Sequence, residues 1–298
     1  MNRTAADFRR WEIPGIATFP DTPGGLIRIA LTPALCSAQV FLQGAHVAAF
    51  QPAGAQPVLF MSPRSRFEIG KPIRGGVPVI FPWFGPRAGH PDAPAHGFVR
   101  TMPWEIESLT SDGKSATLVL VVESNEATRA QWPHDFTLRH RITAGAELSM
   151  TIEITNRSDA PFSFEEALHS YFAISDINAV TATGFEGAEY LDKTDGERRK
   201  TQDRAPLRIT AETDRVYLNT RATCAIADPG MSRTIVIEKS GSDATVLWNP
   251  WISKAARLTD LGDGWPGMLC IETANAAENA VTLASGATHA MNATVRLR

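Results

Sequence analysis

The sequence predicts an all-β fold, large antiparallel sheets in a β-sandwich with few short helices, from three observations. Short runs of alternating or β-branched apolar residues recur along the whole chain. Its 22 glycines and 20 prolines punctuate those runs without forming a low-complexity tract. Helical periodicity is scarce, and no alternation of strands with helices calls for a parallel sheet.

The first strands are read at residues 26–31, 38–41 and 47–50, followed by 115–123, 136–142 and 147–156. LVLVVES and LSMTIEITN are the clearest of these, and TAGAE at 143–147 reads as a hairpin connection. Strands return at 179–183, 222–227, 234–239, 244–248, 268–272 and 279–283, and a terminal run covers 289–297. Short helical turns are expected after Pro250 and near 125–132. The charged stretch 191–205, LDKTDGERRKTQDRA, reads as a solvated surface loop.

At 298 residues and 32.4 kDa, with 43% hydrophobic residues, the chain has material for a large core. A globular chain of this size buries roughly 75% of the surface it exposes when unfolded. Its formal charge of -3 gives no global attraction to nucleic acid or an anionic membrane. Cys36, Cys224 and Cys270 are odd in number and far apart, which supports neither a disulfide framework nor a structural zinc site. The start MNRTAADFRRWEIPG lacks a sustained apolar run, and no stretch nears the roughly 18 apolar residues of a membrane helix. The expectation is a soluble, cytoplasmic protein, a monomer rather than an obligate oligomer, with no nucleic-acid or membrane partner.

Residues 71–100, KPIRGGVPVIFPWFGPRAGHPDAPAHGFVR, set cations and histidines in a frame of glycine and proline. Gly75 and Gly76 let a chain approach a ligand closely, while Pro78, Pro82 and Pro86 stiffen the segment around Trp83 and Phe84. Trp83 and Phe84 are pocket-lining candidates, and a loop anchor or core residue is the plainer role for Trp83. Arg74 and Arg100 suit a phosphate or carboxylate, with Arg64, Arg66, Lys71 and Arg87 as possible contributors to the same field. Ordinary surface arginines account for the pattern as well. The GG pair is neither a dinucleotide fingerprint nor a P-loop.

Two further runs carry ionisable groups. In FSFEEALHSYF, residues 162–172, an uninterrupted strand places Glu165, Ala167, His169 and Tyr171 on one face and Phe164, Glu166, Leu168 and Ser170 on the other. His169 is then a candidate proton donor, or a satisfied structural histidine. In GMLCIETAN, residues 267–275, alternation groups Met268, Cys270 and Glu272 against Leu269 and Ile271. Glu272 is a candidate base or a salt-bridged strand end. Cys270 reads as a packing residue, since no nearby base marks it as a nucleophile. About a hundred residues separate His169 from Glu272, so only the fold can bring them together.

The blocks KPIRGGVPVIFPWFGP, AHGFVRTMPW, ALHSYFAISDI, GFEGAEYLDK, ETDRVY, WNPWISKAARLTD and MLCIETAN, in this order, resemble the aldose 1-epimerase superfamily. Within it the likeness is to the D-hexose-6-phosphate mutarotase branch, also called glucose-6-phosphate 1-epimerase. That resemblance implies a galactose-mutarotase-like β-supersandwich, one domain over residues 1–298, and an isomerase that interconverts the anomers of a hexose 6-phosphate. It further implies His169 as general acid and Glu272 as general base, with Arg74, Arg100, His96 and Asp192 as substrate ligands, and no cofactor or metal. Ala95 stands where some relatives carry a glutamine. An epimerase for unphosphorylated aldoses and a non-catalytic carbohydrate-binding protein are the alternatives.

Overall fold

The computed structural model describes residues 3–22 and 24–298, and most of its ordered elements are strands. Two eight-stranded antiparallel sheets carry the architecture. The first runs Thr181–Thr183, Cys224–Asp228, Arg233–Ser240, Thr288–Leu297, Leu148–Asn156, Phe136–Ala144, Ala116–Glu123, Glu105–Ser111. The second runs Arg198–Thr201, Glu189–Asp192, Thr213–Tyr217, Ala244–Asn249, Met268–Asn275, Glu166–Leu168, Val79–Ile80, and Tyr171–Ala173 also pairs with Met268–Asn275. A four-stranded sheet of Ala17–Thr18, Arg28–Leu31, Cys36–Phe41 and His46–Pro52 and a small pair, Phe162–Phe164 with Val281–Leu283, complete it.

The first sheet shows why alternation made it legible. In Leu148–Asn156, Leu148, Met150, Ile152 and Ile154 are buried while Ser149, Thr151 and Glu153 are partly exposed, as expected when one face meets the core. This strand and Phe136–Ala144 form the expected hairpin, with Ala144 opposite Leu148.

The central strands of the second sheet are buried on both faces. Ala244–Asn249 and Met268–Asn275 are buried at every position. Leu247, Leu269 and Ile271 join the main core with Leu118, Ile152 and Val295 of the first sheet. Val216, Val246 and Ala274 form a second cluster, and Tyr171, Trp248, Met268 and Cys270 belong to a third. A polar side chain rising from this sheet therefore stands in a dry setting.

Two short helices fall where they were expected, Glu126–Gln131 and Trp251–Ala255. The Asn125 side chain accepts from the Thr128 amide at 3.0 Å to cap the first. No helix among the described residues is long and apolar enough to cross a membrane.

Three expectations change. Residues 191–205 are not simply a loop, because Arg198–Thr201 is an edge strand with Arg198 opposite Asp192; its side chains are polar throughout, so no alternation advertised it. The run 162–172 is not one strand but three, interrupted at Glu165 and at His169 and Ser170. Glu105–Ser111 and Thr213–Tyr217 are strands that the apolar pattern did not announce.

Candidate active site

Antiparallel register builds the floor of a cleft on the second sheet. Val216 lies opposite Val246, and Val246 opposite Glu272. The neighbouring row runs Asp214, Trp248, Cys270, Tyr171. Residues two apart share a face, so these rows lie side by side. They put two carboxylates, Glu272 at 1% exposure and Asp214, on an otherwise largely apolar floor.

His169 reaches that floor because its strand breaks there. Its amide donates to the Pro78 carbonyl at 3.0 Å, and the Tyr171 amide donates to the Gly76 carbonyl at 2.9 Å, so the glycine- and proline-rich segment holds this stretch by its backbone. The imidazole stacks on Tyr171, with centroids 4.8 Å apart and planes 9° apart. Its Nε2 lies 3.2 Å from Glu272 Oε1. The two groups, a hundred residues apart in sequence, are in direct contact.

Burial dominates the protonation of both. It drives His169 well below the ordinary imidazole value, helped by neighbouring His96, Arg74 and Arg100. It drives Glu272 well above the ordinary carboxyl value; Asp214 adds to the rise and Lys193 opposes it. Both directions favour a neutral carboxyl beside a neutral imidazole. That differs from the carboxylate and imidazolium expected from sequence, but the number of protons is the same. Moving one proton across the contact interconverts the two arrangements.

Cations form one side of the cleft. Arg74 donates through Nε to Asp260 at 3.1 Å and through Nη1 to the Tyr171 hydroxyl at 3.0 Å; Tyr171 and Asp260 hold its value up against burial. Arg100 donates to the Ala95 carbonyl at 2.7 Å and has no ion pair among the described residues. Burial lowers it to about 10, which leaves it cationic at neutral pH. Ala95 thus contributes a backbone acceptor to Arg100. His96 accepts from the Gly85 amide through Nδ1 at 3.2 Å, which makes Nε2 its donor, and burial followed by Arg100 lowers it to about 3. The Phe84 ring meets it edge-on at 4.9 Å. Glu165 positions that loop by accepting from the Phe84 and Ala277 amides at 2.8 and 2.7 Å.

The remaining lining includes groups that the sequence reading did not select, namely Lys193, Asp214, Trp248 and Lys254. Lys193 Nζ stands 5.4 Å from the Phe84 centroid, and Lys254 pairs with Glu212 and Asp214 at 3.1 and 3.3 Å. The cleft encloses about 350 Å³, at the small end of the range for small-molecule sites. A larger groove of about 690 Å³, lined by Phe41, Met61 and Phe67 among others, gathers no facing acid and base.

Other sequence candidates lie elsewhere. Asp192 does not line the cleft: its carboxylate accepts from Thr194 and from Lys200 Nζ at 2.8 Å, which ties it to the edge hairpin. The carboxylate that enters is Asp214, from the ETDRVY block. Lys71 is exposed and its carbonyl accepts from Gln43 Nε2 at 2.9 Å. Trp83 is buried and donates to the Pro94 carbonyl at 2.9 Å, the anchoring role. Arg64 pairs with Asp263, Arg66 lines the larger groove, and Arg87 lies over Trp83. Gly75 and Gly76 approach the protein's own backbone rather than a ligand; a Cβ on Gly75, at φ 111°, would stand 2.6 Å from the Phe60 carbonyl oxygen.

His169, Cys270 and Glu272 also place three metal-ligand atoms within 4.8 Å of one another. Comparison with known proteins agrees with the fold. The aldose 1-epimerase family profile matches residues 28–296. A protein of Cenchrus ciliaris named as a candidate glucose-6-phosphate 1-epimerase is 35% identical over 276 residues, 89% of this chain and 83% of its own. One of Escherichia coli K12, named likewise, is 37% identical over 238 residues, 80% of this chain and 79% of its own. The crystal structure of a candidate mutarotase from Salmonella typhimurium superposes with a TM-score of 0.89 at 31% identity, covering 96% of this chain and 95% of that one.

Proposed function

The chain belongs to the aldose 1-epimerase family, and from that premise we propose that it interconverts the α and β anomers of a hexose 6-phosphate, with glucose 6-phosphate as the leading substrate. The observation that carries the reading is the His169–Glu272 contact of 3.2 Å in a cleft that also holds Arg74 and Arg100.

Anomer exchange moves protons at two oxygens. Glu272, as carboxylate, takes the proton of the anomeric hydroxyl while imidazolium His169 gives one to the ring oxygen, and the bond between C1 and that oxygen breaks. Rotation about C1–C2 turns the other carbonyl face toward the ring oxygen, and reclosure with the transfers reversed gives the other anomer. Neither an oxidant nor a covalent enzyme intermediate is needed.

The charge layout suits this substrate. In a hexopyranose 6-phosphate, C6 is attached beside the ring oxygen, so the phosphate belongs on the side of the general acid. Arg74 and Arg100 are the cations whose charge acts on His169, whereas Asp214 and Lys193 act on Glu272. A phosphate between the arginines offsets the positive field that discourages protonation of His169. Substrate then favours passage of the shared proton from Glu272 to His169, giving the reactive arrangement only when the site is filled. Asp214 and the His96 Nε2 donor are placed to hold sugar hydroxyls. We take residues 1–298 as one domain and the protein as cytoplasmic, in keeping with its three free, buried cysteines.

NMR exchange spectroscopy of the α and β anomers tests the reading. Glucose 6-phosphate is expected to exchange at least tenfold faster, in kcat/KM, than glucose, in line with a charge-assisted contact worth about 1.5 to 3 kcal/mol. Arg100→Met is expected to lower the phosphate rate by about 10- to 100-fold, with little change for glucose. Equal or better turnover of glucose by the wild-type protein overturns the phosphate assignment.

A further inference from the structure

We propose that His169, Cys270 and Glu272 form an inhibitory site for a divalent transition-metal ion, with zinc the best-suited species, which occupies the cleft in competition with substrate. The inference rests on the donor atoms and not on the identity of the sugar.

Three buried donors converge, their ligand atoms all within 4.8 Å of one another. The His169 to Glu272 distance, 3.2 Å, is already close to the roughly 3.4 Å that separates nitrogen and oxygen ligands on tetrahedral zinc at ordinary bond lengths. Cys270 and Glu272 are two apart on the strand Met268–Asn275 and project from one face, so small side-chain rotations close the remaining gap. Glu272 Oε2 is buried with no hydrogen-bond partner, so a carboxylate oxygen stands free for a ligand without the loss of a protein contact. Among the described residues, none of the three donors is engaged by an arginine or lysine in an ion pair.

Charge balance favours the exchange. A dication held by one thiolate, one carboxylate and one neutral imidazole carries no net charge, so it replaces two displaced protons at no cost in buried charge. The thiolate selects zinc or cobalt over magnesium or calcium, which take oxygen ligands. Three protein ligands leave a fourth position facing the cleft for water or for an oxygen of the sugar. With His169 and Glu272 both bound to metal, neither can exchange protons, and turnover stops. Sequence spacing hid the site, since the histidine lies in a break between two other strands, about a hundred residues away.

Cobalt(II) and zinc(II) chloride, added to the full-length protein, are the probes. Stoichiometric Co²⁺ is expected to give a thiolate-to-cobalt absorption band and the visible bands of a four-coordinate ion, and zinc to remove them by displacement. Zinc is expected to inhibit anomer exchange with an apparent constant that rises with substrate, and EDTA to restore the rate. Cys270→Ala is expected to lose the thiolate band and, measured against its own metal-free rate, to weaken zinc inhibition by at least about tenfold. Cys270→Ser, closer in size, serves if the alanine variant folds poorly. Absence of the band, or equal zinc inhibition with and without the Cys270 thiol, overturns the proposal. The cobalt spectrum needs no substrate, so it reports on this site even if sugar-phosphate turnover fails.

Discussion

Two histidine–glutamate pairs straddle the same pair of strands, and their environments send them in opposite directions. On the cleft face His169 meets Glu272 at 3.2 Å; on the face turned to the first sheet His289 meets Glu166 at 2.8 Å. Both glutamates are almost wholly buried, at 1% and 0%. Glu166 Oε1, however, also accepts from Asn275 Nδ2 at 2.8 Å, and among the described residues no other donor serves Glu272. Burial opposes the charge on His289, yet the hydrogen bond and charge of Glu166 outweigh it and raise His289 above its ordinary value. For His169 burial and the nearby cations act together and lower it. One pair is bound to its neighbours as a clasp between the sheets. Both glutamates leave Oε2 without a partner among the described residues; what sets them apart is Oε1, which takes two donors in Glu166 and meets only His169 in Glu272.

The difference can be broken from either side. Glu272→Gln is expected to lower the anomer exchange rate by about 10²- to 10⁴-fold, the usual range for a lost acid or base, while thermal unfolding shows no loss of stability. Destabilisation comparable to loss of the other pair would instead make Glu272 a structural residue. His289→Ala leaves Glu166 buried without its partner and is expected to cost about 2 to 3 kcal/mol in urea unfolding, below the 3 to 5 of fully enclosed pairs because the imidazole is partly exposed. The folded fraction of that variant should retain its turnover rate.

The smallest effect is in pH dependence. A raised imidazole stabilises the fold below its unfolded value of about 6.5 and loses that contribution as pH rises through its folded value. The gap between wild type and His289→Ala is therefore expected to narrow from pH 6 to pH 9. His46 and His140, lowered by burial to about 3 and about 4, have the reverse sign. They favour the fold above about pH 6.5 and weaken it as acid protonates the unfolded chain. Urea titrations across pH 4 to 9 in wild type, His289→Ala and His140→Phe separate the two slopes.

Sequence periodicity disclosed the first sheet, apart from its edge strand Glu105–Ser111, because one of its faces meets the core and the other is polar. It was weaker for the second sheet, where two-sided burial removes alternation and Thr213–Tyr217 carries Asp214 and Arg215 among its apolar residues. Motif likeness alone links His169 to Glu272 in the sequence, since no local spacing joins them. Asp192 is named from the family resemblance alone, and Asp214 carries no separate signal in the sequence; register places Asp214 opposite Trp248 and Asp192 opposite Arg198. Lys193 and Lys254 had no signal beyond charge in charged segments. The histidine clasp was invisible for the same reason as the site, its partners being more than a hundred residues apart.

The edge strand Arg198–Thr201 has one more consequence. The last strand of an open sheet presents unpaired amides and carbonyls along its outer side, a ready template for the strand of another molecule. Here that border is written RRKT, with Arg199 held by Glu189 and Glu278 and Lys200 held by Asp192 and Asp195. An approaching strand would have to desolvate a row of fixed cations before it could form its first backbone hydrogen bond. The residues that keep Asp192 away from the sugar cleft thereby guard the sheet against growing beyond its own chain.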